Sequence, residues 1–394
     1  MTRFMIYIFE LLQVSLGVRD RLSRVPSDAQ WGALLDESRN QAIAGIMLCG
    51  LERLPKEQRP PIDTLLEWIG EAQITEAENE LALKTCQKVC ETLGKDGFRS
   101  CVLKGQANHA YYPGTMGKRR SCGDVDVWTA PKEEGRCKKE DVKRVLEYIE
   151  KNHELTGLCW LHCDFDDENG VPVEVHFHPS FMNDPVHNRR FQEYFADFNG
   201  CVVEKKVDGV TMPALRVEKD VIYQMNHIYR HLLDEGVGLR QVVDYFFLLK
   251  NYTEINGLSD RSINTDSKDY KDTEDVLRHL GMRKFAGALM WVMKVVCGMP
   301  DEYLLCQPVE KDGQFLLHEI IMSGNFGHSD PRMVALDTSS VLMRRLTQAW
   351  RRFKRNLRFL GSYPREVIWE PFARMYHFAW KLCHRDTKNK ASHR

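Results

Sequence analysis

The sequence predicts an α+β fold: a small mixed β-sheet core flanked by N-terminal and C-terminal helical regions. Three observations lead there. Apolar residues in the first 95 positions recur at three- and four-residue steps, short runs from Phe98 to Phe177 alternate apolar with polar, and helical spacing returns near Val217. The expected divisions are an N-terminal helical region (1–95), a mixed core (96–215) and a C-terminal helical domain (216–394). The last of these carries a polar loop at about 254–275.

Each element follows from local pattern. Trp31, Leu34, Leu35, Ile43 and Ile46 mark early helical segments. After Pro60-Pro61, Leu65, Leu66 and Ile69, then Leu81, Val89 and Leu93, mark a further helical pair that ends at Gly94 and Gly97. Strands are expected at Phe98 to Leu103, Asp124 to Thr129, Leu158 to Phe165 and Val171 to Phe177. Between them, Asp141 to Asn152 reads as a helix with Val142, Val145, Leu146 and Ile149 inward. Two more helices follow, one from Val217 containing His227 and His231, and one after the Gly236–Gly238 turn containing Arg240 and Asp244. The stretch from Glu254 to Asp275 is nearly free of aliphatic residues and reads as a solvated loop, with helices from Val276 onward.

Composition excludes several classes. With 55 basic and 56 acidic side chains the net charge is -1, and 43% of residues are hydrophobic. This is neither a generally basic nucleic-acid binder nor an acidic disordered chain. The apolar run from Phe4 to Leu12 is broken by Glu10 and is too short to span a bilayer, which takes roughly 20 residues. Twelve scattered cysteines without a CxxC pair suit reduced thiols and a cytoplasmic location.

The chemistry concentrates between Val102 and Ala130. A short strand runs into Lys104-Gly105, which opens a helix, and a basic, glycine-containing loop then leads to Asp124-Val125-Asp126. On a strand Asp124 and Asp126 share one solvent-facing side, while Val125 and Val127 enter the core. Two carboxylates on one face suit Mg²⁺, which takes oxygen ligands and commonly binds substrate phosphates as well. Glu174 and His176 share the polar face of a later strand, so Glu174 joins the aspartates if that strand pairs alongside. Asp164, on a face with His162 and Asp166, is the reserve third carboxylate. A glycine at a strand-to-helix junction also lets a backbone N–H approach a phosphate.

Leu103-Lys104-Gly105, Tyr112-Pro113, Arg120 three residues before Gly123-Asp124-Val125-Asp126, and Glu174-Val175-His176 together resemble a known family. They resemble the nucleotidyltransferase superfamily of DNA polymerase beta type, and more closely a bacterial group of uncharacterised nucleotidyltransferases. The resemblance extends over roughly 98–250 and departs in two respects, one being the nineteen positions that separate Gly105 from Asp124, more than the superfamily commonly allows. The superfamily's Gly-Ser turn is here Lys104-Gly105-Gln106, without the serine hydroxyl.

The resemblance implies transfer of a nucleoside monophosphate from an NTP, such as ATP, to an unidentified acceptor hydroxyl on a small molecule or macromolecule, releasing pyrophosphate. It implies Mg²⁺ or Mn²⁺ as cofactor, held by Asp124, Asp126 and Glu174, with these three also catalytic. Lys104, Gly105, Arg120 and Gly123 would face the nucleotide; His176, either His227 or His231, and Asp244 would face the acceptor or base. The alternatives are a nucleotide-sensing protein that keeps the fold without turnover, and a D-x-D glycosyltransferase. The 95 helical residues that precede the motif disfavour the glycosyltransferase.

Other clusters have plainer readings. His227 and His231 at i, i+4 could hold a metal but lack the Glu of a zinc-protease motif. Asp164, Asp166, Asp167 and Glu168 fail the calcium-loop template and suit a hairpin turn. From Val341 to Arg394, 14 Lys/Arg face three acids, a net +11. Within it Met343, Leu346, Trp350, Phe353, Leu357 and Leu360 form an apolar stripe among arginines. The stripe is expected to pack on the protein with its charges in water. Contact with a polyanion, RNA or an anionic membrane, is the alternative.

Overall fold

Alternating apolar residues between Phe98 and Leu215 form seven strands in the computed structural model, which describes residues 3–133, 135–256, 272–327, 330–332 and 340–385. They are β1 (Phe98–Val102), β2 (Val125–Pro131), β3 (Gly157–Leu158), β4 (His162–Asp166), β5 (Pro172–His176), β6 (Val202–Val207) and β7 (Val210–Leu215). One mixed sheet holds them in the order β3-β4-β5-β2-β1-β7-β6. β2 runs parallel to β5, and β1 parallel to β7; the other neighbours are antiparallel. The fold is α+β, a mixed sheet flanked by helices.

The chain divides into two compact units. A sheet unit holds Leu81–Ala110, Gly123–Tyr223 and Tyr363–Arg394, and a helical unit holds Met1–Glu80, Tyr111–Cys122 and Gln224–Ser362.

In the sheet unit β2 is the central strand, and all seven of its residues are buried. The solvent-facing side expected for its aspartates is therefore corrected: Asp126 is buried, and Asp124 lies just before the strand and half-buried. The run from Leu158 to Phe165, expected as one strand, is a hairpin of β3 and β4. The Cys159 N–H closes it on His162 O at 2.9 Å. Trp160 and Leu161 at its bend are buried, so hydrophobicity carried no turn signal. The β6–β7 hairpin turns at Asp208-Gly209 with φ of 47° and 92°, both left-handed, as a tight primed turn requires. Helix Lys138–Asn152 buries Val142, Val145, Leu146 and Ile149, the expected face. The acidic cluster is a turn: Asp167 Oδ1 accepts from the N–H groups of Asn169 and Val171, both at 2.8 Å.

In the helical unit Arg3–Ser15 packs on Ala44–Arg53 so closely that a Cβ on Gly50 would come within 2.9 Å of Leu11 O. Ile8, Leu11, Leu12, Leu289, Val292 and Ile320 are fully buried in this unit. The helical pair expected before Gly97 is one 34-residue helix, Ile62–Lys95. Of the expected polar loop, 254–256 finish the Leu239–Asn256 helix and Thr273 starts another, capped by Asp272; 257–271 lie outside the described residues.

Helix Val341–Leu360 departs most from expectation. The whole stripe from Met343 to Leu360 faces solvent, with side chains 39–55% exposed. Phe359, about 180° around the helix from Trp350, is fully buried, its ring 5.6 Å from that of Phe315. Buried Arg355 beside it donates to Leu232 O at 3.1–3.3 Å. The helix is thus held by the side opposite its apolar stripe. Trp350→Ala should leave the urea unfolding free energy within about 0.5 kcal/mol of wild type. Phe359→Ala should lower it by about 3–5 kcal/mol. A large loss from the tryptophan change would contradict the outward stripe.

Candidate functional site

Strand register assembles an acidic row in the sheet unit. Asp126 on β2 pairs with Glu174 on β5, and Glu174 pairs with Asp164 on β4. The adjacent row is Trp128, His176 and His162. Neighbouring strands lie roughly 4.8 Å apart, so three carboxylates and two imidazoles share a small area. His176 Nε2 is 3.1 Å from both Asp126 Oδ1 and Glu174 Oε2, which makes it the donor between two acceptors. His162 hydrogen-bonds Asp164 and comes to 3.7 Å from Glu174.

Lys104 enters from the other side. β1 pairing continues to Leu103, whose N–H donates to Asp126 O at 3.0 Å, so the next side chain emerges beside Asp126. Its Nζ lies 3.0 Å from Asp126 Oδ2 and 3.6 Å from Asp124 Oδ1. Gly105 follows at φ +61°, a left-handed turn that leads into the expected helix, a short 3-10 segment Gly105–Tyr111. Gly123 is exposed next to Asp124.

Burial and charge compete at every group here. Burial pulls the Lys104 amine down, but Asp124, Asp126 and Glu174 outweigh it and hold it above the ordinary lysine range. Burial likewise pulls His176 down, and its hydrogen bonds to Asp126 and Glu174 raise it on balance. His162 is desolvated too, yet Asp164 and Cys159 push it up to about 11. Burial pushes the Glu174 carboxyl up; the hydrogen bond from His176 and the charge of His162 bring it below the usual carboxylate range. Glu174 is thus an ionised carboxylate on the half-open edge of the site.

The donor set suits a divalent metal. Ligand atoms of Asp126, Glu174 and His176 all lie within 4.8 Å of one another, as do those of His162, Asp164 and Glu174. Asp126 Oδ2 is buried and faces the Lys104 ammonium at 3.0 Å, so a metal there would have to displace that contact. The carboxylate oxygens are the donors that suit Mg²⁺ or Mn²⁺; the imidazole is not what selects those ions.

The family described as uncharacterised nucleotidyltransferase matches residues 27–266. The chain belongs to that family. Membership supports a nucleotidyltransferase-type function. A solved structure, an antigenic nucleotidyltransferase-like protein from Paracoccidioides brasiliensis, is similar at 10% identity and a TM-score of 0.34, covering 59% of this chain and 96% of that one. No curated protein matches.

The remaining sequence candidates belong to the helical unit of this nucleotidyltransferase-family chain. Arg120, expected beside phosphate, is buried there with its donors committed. Its Nε and Nη2 bind Asp244 at 2.6 and 2.7 Å, and Nη1 donates to Ser121 O at 3.0 Å. Tyr112 donates to the same carboxylate at 2.6 Å. Asp244, expected near the acceptor or base, is the centre of this buried cluster. His227 is buried with its ring 4.3 Å from that of His231, and neither is in a metal-holding group among the described residues. His162 is the group that reading the sequence underweighted. Its alternation with Asp164 was visible, but its place beside His176 depends on the hairpin.

The Arg120–Asp244 pair makes a stability prediction. Burial pushes the Asp244 carboxyl up, but Arg120 and Tyr112 hold it below the usual range. Its stabilisation is therefore present above the unfolded-state value, about pH 4, and is lost as pH falls through the lower folded value. Asp244→Asn leaves Arg120 charged, buried and unpaired, and should cost about 3–5 kcal/mol in urea unfolding at pH 7. The gap from wild type should narrow on acidification below about pH 4.

Proposed function

We propose that the chain is a metal-dependent nucleotidyltransferase of the DNA polymerase beta-type superfamily that transfers a nucleoside monophosphate from an NTP to an acceptor hydroxyl. The observation that carries the reading is the in-register pairing of Asp126 with Glu174, with Lys104 Nζ close to both Asp126 and Asp124. Asp124, Asp126 and Glu174 would hold Mg²⁺ or Mn²⁺, which when bound neutralises triphosphate charge and acidifies a nearby hydroxyl.

The chain's own groups do the rest. Lys104 turns from the aspartates to a phosphate oxygen, and the Gly105 N–H faces the phosphates where a side chain would be strained. Glu174, kept ionised, takes the proton of the acceptor hydroxyl. The acceptor oxygen attacks the α-phosphorus, the bond to the bridging oxygen breaks and pyrophosphate leaves. His176 holds Asp126 and Glu174 in register by donating between them. His227 and the Arg120–Asp244 cluster are assigned no step.

A second reading, nucleotide sensing without turnover, is favoured by one observation: Lys104 and His176 already neutralise the carboxylates.

Incubation of purified protein with each labelled NTP and Mg²⁺ or Mn²⁺, with and without cell extract, should give a labelled product and stoichiometric pyrophosphate. Asp124→Asn and Glu174→Gln, at half-open positions, should each lower turnover at least about a hundredfold while the protein stays folded. Lys104→Ala should weaken NTP binding about tenfold or more. Nucleotide binding without pyrophosphate under every condition would favour the sensing reading. Normal turnover by the Glu174 variant would remove that residue from the mechanism.

A further inference from the structure

We propose that helix Val341–Leu360 lies in the interfacial plane of an anionic lipid bilayer and docks the protein there. The helix spans about 30 Å at 1.5 Å per residue. Met343, Leu346, Trp350, Phe353, Leu357 and Leu360 present one continuous apolar line to solvent. Trp350 and Phe353 stack at a 5.6 Å centroid distance within it. Such a line is held outward because Arg355 and Phe359 anchor the opposite side inside the helical unit.

Charge identifies the partner. The helix contains six arginines and one lysine and no acid. Arg355 is spent on Leu232 O, and Arg358 lies 3.7 Å from Glu319. Arg344, Arg345 and Lys354 are exposed around the stripe. An apolar line rich in Leu, Trp and Phe beside a cationic face is the pattern of a helix lying at a charged lipid surface. No helix among the described residues is long and apolar enough to cross a membrane, so the helix lies on the surface.

Other occupants fit less well. RNA would use the cations and stack bases on Trp350 and Phe353, but it has no use for Met343, Leu346, Leu357 and Leu360 in one line. A second copy laid face to face would bring two wholly cationic helices together with no acid to offset them. Helix Pro364–Arg385 also exposes Ile368, Phe372 and Met375, but its Arg365 and Arg374 are paired with Asp184 and Glu370, so charge does not point to lipid there.

The test is flotation of the full-length protein with vesicles of phosphatidylcholine alone or with ~30 mol % phosphatidylglycerol. Binding should be at least about tenfold stronger to the anionic vesicles and should fall as salt rises from about 0.1 to 1 M. Trp350→Ser with Leu357→Ser should lower it about tenfold or more without shifting the unfolding midpoint, and Arg344→Glu with Arg345→Glu should abolish the preference for anionic lipid. Absence of flotation, or flotation unaffected by the serine pair, overturns the proposal. So does tighter binding to a single-stranded RNA that the serine pair leaves unchanged. A dimer that the serine pair converts to monomer, without flotation, would assign the stripe to a second copy. None of these readouts involves nucleotide turnover, so they stand or fall independently of the transfer reaction.

Discussion

The structure of the sheet unit depends on charge balance around Asp126, a carboxylate with 1% of its surface exposed. An unpaired buried charge costs several kcal/mol, so such a group persists only where cations meet it. Lys104 approaches one oxygen and His176 the other. Neither contact is a chance of side-chain reach. Lys104 is fixed by the backbone bond from Leu103 to Asp126 O, and His176 by the parallel register of β5 on β2. The same two constraints bring in Asp124 and Glu174. A sheet shifted by one residue would turn Val125 and Val173 toward this cluster and the carboxylates away from it.

Much of this was legible because β-strand alternation is a local property. Val125, Val127, Val173 and Val175 announce their strands, and the polar residues between them must share the other face. The neighbouring of β2 and β5 is a long-range fact, inferred from chemistry and then found in the register. What sequence reading lost were features whose signals were masked. The β3–β4 turn is made of buried apolar residues, so no glycine or proline marks it. Without that turn His162 could not be placed opposite His176.

The C-terminal helix shows a different limit. Periodicity correctly gave a helix with an apolar line, yet periodicity is silent about which side the rest of the protein uses. Two residues outside the line decide it: Phe359 fills the core, and Arg355 satisfies Leu232 O. Burial pulls the Arg355 guanidinium down to about 10, a cost accepted where the backbone carbonyl and the packing offset it. The pairing of Arg120 was missed for a related reason. An arginine beside an acidic motif invites a phosphate role, but Asp244 lies more than a hundred residues away in sequence, and only the fold brings the two together.

The pairing of Lys104 and His176 with the carboxylates also bears on how metal would bind. A cation added to Asp126 and Glu174 must compete with two protein cations already there, and the His176 proton stands between both carboxylates. Metal binding would therefore be an exchange of charge, its net affinity set by what Lys104 and His176 gained elsewhere. In the proposed reaction a triphosphate would supply the missing term, because it would offer Lys104 another anion as the aspartates were taken up. Metal and nucleotide should then favour each other, each weak alone, through a reciprocal coupling. The half-open Asp124 and Glu174 leave room for that exchange on one side, while buried Asp126 keeps the frame fixed on the other.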